Sequence, residues 1–424
     1  MRSLAEWLAL QETVHVRSID LGLERVARVA AALRIEHPPY RVITVGGTNG
    51  KGSTVSYLEA LLHAGGYRCG ALSSPHLVRY HERVRVDARE VSDSELIDAF
   101  ERIETARGAT TLTFFEYNTL AALLIFETRQ VEVAVLEVGL GGRLDATNVV
   151  DADVAVLCSV GMDHRDWLGD TLESIGMEKA GIFRAGRPAV LGSPDMPASV
   201  YAAISRLGAR ALIAERDFSW SLDAGPPAPA ASWDYHGLMI ELSALPAPAL
   251  AGAIQYRNAA SALAALESLP APRALRHEAA ATALRAVRLP GRFQIVPGPI
   301  EWILDVAHNE PAAAVLAQNL RARACAGRTW AVCSILRDKD VEAIGRVLEG
   351  LIDRWILCSL DQPRGSSASE LALRLGRAAR EPLLAPCVEE GCALARERAQ
   401  PGDRVIVFGS FAVVGSALQW LQLY

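Results

Sequence analysis

From Val42 to Val55 the chain reads Val-Ile-Thr-Val-Gly-Gly-Thr-Asn-Gly-Lys-Gly-Ser-Thr-Val, and few folds accommodate such a stretch. Its β-branched start fits a buried strand. Four glycines among residues 46–52 then permit a tight loop with several N–H groups turned inward. A helical segment is predicted from Ser53 to about His63. Strand, loop and helix together make a cradle for phosphate. The loop N–H groups and the helix N-terminus supply partial positive charge, and Lys51 supplies a full one. The strict pattern G-x-x-x-x-G-K-[ST] is not met. Counting back from Lys51, the first glycine falls at Val45, and Ser53 stands two residues past the lysine instead of one. The loop is a variant, with an ordinary Gly-rich turn as the alternative.

A length of 424 residues suggests about two or three domains. Half of the residues are hydrophobic and 22% are charged, which suits a globular chain with a sizeable core. A formal charge of -6 gives no bulk attraction for nucleic acid or anionic membrane, and neither is expected as a partner. The seven cysteines are scattered without a C-x-x-C pair, which predicts reduced thiols and a cytoplasmic protein. The segment Met1–Trp7 carries an early acid and no long apolar core, unlike a signal peptide. No apolar run is long enough to span a bilayer.

Helical periodicity is expected over 3–12 and 21–34, the second capped by Ser18-Ile19-Asp20, and again over 93–107 behind Ser92. Thr113–Tyr117 leads into an apolar helix over 118–128. Residues 131–138 and 154–160 read as buried strands. Strands alternating with helices predict an α/β fold, a doubly wound and mainly parallel sheet. The stretch 215–250, with Pro/Ala clusters at 225–229 and 246–248, resembles a small antiparallel excursion. Helices over 257–268 and 274–287 end at Leu289-Pro290-Gly291, the expected boundary between domains 1–289 and 290–424. Alternation resumes with strands near 302–307, 330–335, 354–360 and 404–410, a second, smaller, Rossmann-like α/β domain.

Candidate chemistry falls at predicted carboxyl ends of strands, where open α/β sheets bind ligands. Glu137 can reach a nucleotide-bound Mg²⁺ there, or cap the loop, or pair with Arg143. His164 lies among acids in Asp163–Asp166, although imidazole is unusual for Mg²⁺. Lys179 has apolar flanks that would depress its pKa, or it pairs with Glu178 or Glu173. Asp305 ends a strand ahead of His308. Arg292 follows the boundary, where it could swing onto phosphate or pair at the surface.

Seven stretches, in order, resemble the folylpolyglutamate synthase family of the Mur-ligase superfamily. They are Gly47–Ser53, Ser73–Leu77, Leu136–Asn148, Asp163–Gly169, Glu178–Phe183, Leu289–Gln294 and Asp305–Asn309. The likeness extends from about residue 18 to the C-terminus, and the family's own loop has the G-T-N-G-K-G-[ST] form.

The resemblance implies an ATP-dependent amide ligase. ATP phosphorylates a substrate carboxylate, and the amine of L-glutamate attacks the resulting acyl phosphate. The bacterial members with two activities are nearest in pattern, which implies dihydropteroate and tetrahydrofolate as the acids. Gly50, Lys51, Gly52 and Ser53 match the triphosphate cradle. Ser74, Glu137 and His164 match Mg²⁺ ligands, with Ser53 near the first of two metals. Lys179 matches a lysine that the family carbamylates. Asn258, Arg292 and Asp305 match ATP contacts, with the catalytic candidate His308 beside them. Asp20, Leu21 and Gly22, then Thr113, Phe114, Phe115 and Glu116, then Leu144, Asp145 and Ala146 match a pterin-binding region. Arg83 is a further candidate for a pteroate or glutamate carboxylate. Candidates for the glutamate site are Arg337, Asp338, Lys339, Asp340 and Ser410. A monomer is expected. A cell-wall Mur ligase is the alternative, and the pterin-like segments argue against it.

Overall fold

The computed structural model describes residues 2–17, 19–222 and 232–424. Its first sheet has eight strands: β1 (Arg41–Gly46), β2 (Cys69–Leu72), β3 (Val84–Val86), β4 (Arg89–Glu90), β5 (Val133–Glu137), β6 (Val154–Leu157), β7 (Pro188–Leu191) and β8 (Arg210–Ile213). Their order is β4-β3-β2-β5-β1-β6-β7-β8. The five pairings from β2 to β8 are parallel, and β3 and β4 add antiparallel strands at one edge. The expected doubly wound α/β sheet is therefore present. Strand β1 is central, with Val45 beside Glu137 on one side and Gly46 beside Leu157 on the other. The phosphate loop, Glu137 and the loop after β6 consequently leave the sheet side by side.

Burial of both faces explains the unbroken apolar runs. One face packs on the helix Lys51–Ala64, itself covered by helices Ile254–Glu267 and His277–Ala286. The other face is covered by helices Asp93–Arg107 and Phe114–Thr128, with Leu4–Val14 and Glu24–Leu33 outside them. Strands β9 (Ser219–Leu222), β10 (Ser232–His236) and β11 (Glu241–Pro246) form the expected antiparallel excursion. The cluster at 225–229 lies outside the described residues.

The second sheet contains β12 (Gln294–Val296), β13 (Glu301–Asp305), β14 (Thr329–Cys333), β15 (Arg354–Cys358), β16 (Leu383–Ala385) and β17 (Arg404–Phe408), in the order β12-β13-β17-β14-β15-β16. All its pairings are parallel except that of β12 with β13. Cores on its two faces make it a second α/β layer structure. All seven cysteines are free thiols. Among the described residues, no helix is long and apolar enough to cross a membrane.

Several predicted boundaries move. The helix after the phosphate loop begins at Lys51, because Gly50 takes a left-handed conformation (φ +89°) and serves as its N-cap. The helix expected from residue 21 begins at Glu24 behind Leu23; the proposed cap Ser18 lies outside the described residues. The helix expected from residue 118 begins at Phe114. Thr113 caps it by accepting from Glu116 N–H, and the Glu116 carboxylate accepts from Thr113 N–H in return.

Candidate active site

The phosphate loop is braced from the β6 side. Thr48 N–H donates to the Ser159 carbonyl (2.9 Å) and Asn49 N–H to Ser159 Oγ (3.0 Å). Thr48 Oγ1 exchanges hydrogen bonds with the Gly161 backbone (3.1 and 3.0 Å). A Cβ on Gly47 would lie 3.1 Å from Cys158 Cβ, so the loop can rest on β6 only without one. Lys51 Nζ folds back onto the carbonyls of Gly47 (3.0 Å) and Thr48 (3.2 Å), closing the loop around its own ammonium. The loop is thereby shaped before any phosphate arrives.

Residues of both sheets face this loop across one cavity of about 570 Å³. Of the residues singled out in the sequence, Gly50, Lys51, Gly52, Ser53, Ser74, Glu137, His164, Lys179, Asn258, Arg292, Asp305, His308, Lys339 and Ser410 all line it. Arg83, Asp20, Leu21, Gly22, Thr113, Phe114, Phe115, Glu116, Leu144, Asp145 and Ala146 do not, and neither do Arg337, Asp338 and Asp340. The aromatic segment adjoins the cavity instead. Phe115 packs on Gly139, a lining residue whose Cβ would come 2.9 Å from the ring.

Glu137 is buried at the end of β5, where its Oε2 accepts from Ser74 N–H (3.2 Å). Burial pushes its carboxyl pKa up, against the pull of Lys51, the Ser74 N–H and Arg292. Among the described residues, no lysine or arginine forms an ion pair with it, and Arg143 pairs with Glu178 (2.8 Å) instead. A buried hard oxygen donor without a paired cation fits a divalent ion. Among the described residues, no three His, Cys, Asp or Glu side chains converge as a complete metal cage. One carboxylate with hydroxyls beside a phosphate loop suits Mg²⁺, which commonly takes its remaining oxygens from phosphate and water. His164 sits at a left-handed backbone position (φ +52°), and burial lowers its imidazole pKa to about 4, leaving a nitrogen lone pair at neutral pH.

Lys179 is buried near the end of helix Leu172–Ala180. Burial first, then the charge of Lys51, lowers its pKa to about 7. Neither expected partner takes it: Glu178 bonds Arg143, and Glu173 accepts from the N–H groups of Ala198 and Ser199.

From the second sheet, the Asp305 carboxylate accepts from Phe293 N–H (2.9 Å) and Ala307 N–H (2.8 Å), and burial raises its pKa. Arg292 lies 5.1 Å over the Phe411 ring, and burial lowers its pKa. A Cβ on Gly52 would stand 3.3 Å from the Arg292 guanidinium and 3.8 Å from Glu137, so the two domains meet at the loop.

The sequence reading missed the polar seam there. The side-chain amides of Asn49 and Asn309 bond each other (3.0 and 3.2 Å). Asp163 accepts from Asn309 Nδ2 (2.9 Å) and Lys339 Nζ (2.6 Å), and His308 Nε2 lies 3.7 Å away. Burial would raise the Asp163 carboxyl, but His308, Lys339 and His164 outweigh it and hold its pKa well below the usual carboxylate range. No signal in the sequence links residues so far apart.

In the pterin-like region, carboxylates already have local partners. Asp20 binds His15 Nε2 (3.0 Å) and Arg25 (2.7 Å), and Arg25 also faces Glu116 (3.3 Å). Asp145 accepts from the N–H groups of Gly139, Leu140 and Thr147, which fixes the loop carrying Leu144 and Ala146.

A phosphate loop at the centre of one sheet, closed over by a second α/β domain, defines the Mur-ligase class. The model of the Mur ligase middle domain matches residues 45–199, and that of the Mur ligase glutamate ligase domain matches residues 291–411. Among curated proteins, the dihydrofolate synthase/folylpolyglutamate synthase of Escherichia coli (strain K12) is 45% identical over 98% of this chain and 95% of its own length. That of Haemophilus influenzae is 39% identical over 97% and 96%. The solved structure of E. coli FolC in complex with DHPP and ADP superposes with a TM-score of 0.93 at 42% identity, covering 100% of this chain and 98% of that one. A bifunctional folylpolyglutamate synthase/dihydrofolate synthase with Mn, AMPPNP and L-glutamate bound gives a TM-score of 0.90 at 42% identity, covering 100% and 98%. The chain belongs to the dihydrofolate synthase/folylpolyglutamate synthase family, whose members are ATP-dependent ligases.

Proposed function

We propose that this chain joins L-glutamate to dihydropteroate and to tetrahydrofolate, each through an acyl phosphate made with ATP. The observation that carries the reading is the shared cavity, in which a preformed phosphate loop faces Arg292, Asp305 and His308. The domains divide at residues 289 and 290, and the protein acts as a cytoplasmic monomer.

A carboxylate is a poor electrophile, and phosphorylation supplies its leaving group. Gly50, Gly52, Ser53 and Lys51 hold the triphosphate, Asn258 and Asp305 orient the nucleotide, and Arg292 reaches the phosphates from the other domain. Ser53, Ser74, Glu137 and His164 would hold Mg²⁺, which when bound would supply charge neutralisation for phosphoryl transfer. Lys179 carries a carbamate: its lowered pKa leaves much of the amine unprotonated near pH 7, the form that attacks carbon dioxide. The surplus amine proton passes to solvent, and the carbamate oxygen would suit a second Mg²⁺, which prefers oxygen donors. His308 borders the reacting phosphate. The pterin lies against Phe114 and Phe115, among Asp20, Leu21, Gly22, Thr113, Glu116, Leu144, Asp145 and Ala146. Arg83 stands behind the cavity wall at the carboxylate end, and Lys339 and Ser410 serve glutamate.

Incubation with ATP, Mg²⁺, glutamate and either dihydropteroate or a UDP-muramyl precursor tests the reading. Mass spectrometry should find one added glutamyl residue on dihydropteroate alone. Extension of the muramyl acid instead would overturn it.

A further inference from the structure

Among the cavity-lining side chains to which the mechanism gives no part is an imidazole. His76 stands two residues after Ser74 and lines the same cavity as the phosphate loop. Its Nδ1 lies 2.7 Å from Nε of Arg83. A guanidinium has only donors and keeps its proton throughout the working range of proteins. The nitrogen facing it must therefore be an acceptor and carry no proton. The neutral ring then carries its hydrogen on Nε2, since the bond made by one ring nitrogen sets the state of the other.

Arg83 is itself fixed. It is buried, and it lies 5.2 Å over Phe114 and 5.7 Å over Tyr80. Tyr80 in turn meets Phe114 edge-on at 5.7 Å and donates to Asn118 (3.0 Å). The imidazole, bonded to Arg83 and 6.1 Å from the Tyr80 ring, thus shares the cavity wall with Ser74 and Glu137, where phosphate chemistry is placed, and its partner Arg83 stacks on Phe114, where the pterin is placed. An acid that reaches from one to the other must pass its carboxylate along this wall.

We infer that His76, held by Arg83 as the Nε2–H tautomer, is a neutral hydrogen-bond donor to the substrate carboxylate and to the oxyanion derived from it. The inference rests on the ligase reading. One carboxylate oxygen attacks the γ-phosphorus, and the bond from that phosphorus to ADP breaks. The other oxygen accepts from His76. A neutral donor orients that oxygen while withdrawing less charge from the nucleophile than a cation would. The amine of glutamate then attacks the carbonyl carbon, whose oxygen becomes an oxyanion still facing His76. The carbon–oxygen bond to phosphate breaks, and the surplus amine proton passes to solvent. Preorganised donors of this kind are most effective where charge develops. Arg83 acts through His76 as a positioning residue.

The tautomer is read directly in the intact wild-type protein. Nitrogen-15 NMR of His76 should show a bare Nδ1 and a protonated Nε2 at neutral pH, and a protonated Nδ1 would overturn the inference. In turnover, His76→Ala should lose about 10²–10³ in kcat with little change in ATP affinity. His76→Gln, whose amide nitrogen reaches the place of Nε2, should recover much of that loss, and His76→Asn should not. Equal rates in the Gln and Asn variants, or an unchanged kcat in His76→Ala, would overturn it. A wild type that releases no ADP with dihydropteroate and glutamate would instead sink the ligase reading, and the tautomer measurement would remain independent of it.

Discussion

Asp163, in the loop after β6, and Lys339, in the loop after β14, form an ion pair of 2.6 Å with both side chains almost wholly buried. It joins the two domains at the floor of the active site. Each charge is compensated there mainly by the other, with Asn309 and the His164 N–H bonding the same carboxylate. Lys339→Met leaves Asp163 short of its only close lysine and should cost about 3–5 kcal/mol in chemical denaturation. Adding Asp163→Asn should restore a large part of that loss. Equal stability of the single variant and the wild type would mean that the pair does not hold the domains together.

Glu137 offers the opposite case, a buried carboxylate kept where, among the described residues, no lysine or arginine forms an ion pair with it. Glu137→Gln should therefore stabilise the metal-free protein by about 0.5–2 kcal/mol while abolishing Mg²⁺-dependent ADP release. Thermal melts without Mg²⁺ check the first half, and an ADP-release assay with Mg²⁺ checks the second. Lower stability together with retained turnover would remove Glu137 from the metal site.

How far such a site could be read from the sequence depended on range. Strand β1 is an apolar run that ends in glycine, β5 one that ends at an acid, and the run of β6 continues to Gly161, so the phosphate loop, Glu137 and His164 are legible in the sequence as loops leaving one sheet edge. The helix after the phosphate loop starts two residues earlier than its periodicity suggests, because the left-handed turn at Gly50 admits Lys51 to its first turn. Thr113 and Glu116 read in the sequence as a lead into the helix and as pterin-site residues. The T-x-x-E spacing also signals a capping box, which is what they form. The Asn49–Asn309 and Asp163–Lys339 contacts were illegible, because packing of separate domains creates them and no local periodicity encodes it.

Lys179 depends on its neighbours for position. A Cβ on Gly142 would fall 2.8 Å from the Lys179 carbonyl and 2.9 Å from that of Glu178, backbone atoms that cannot step aside. Gly142→Ala should cost about 1–3 kcal/mol and lower kcat by displacing the lysine. With ¹³C-bicarbonate, a carbamate signal should appear in the wild type and be absent from Lys179→Ala, which should be inactive. Full activity of Lys179→Ala would eliminate the carbamate role.

The most direct measurement of the central claim is ADP release with each component withheld in turn. With ATP, Mg²⁺, L-glutamate and dihydropteroate or tetrahydrofolate present, ADP should accumulate with one amide formed per ATP. Without glutamate or without the acid, sustained release should stop. Steady ADP release that ignores either omission, or none with all components present, would contradict a glutamate ligase acting through an acyl phosphate.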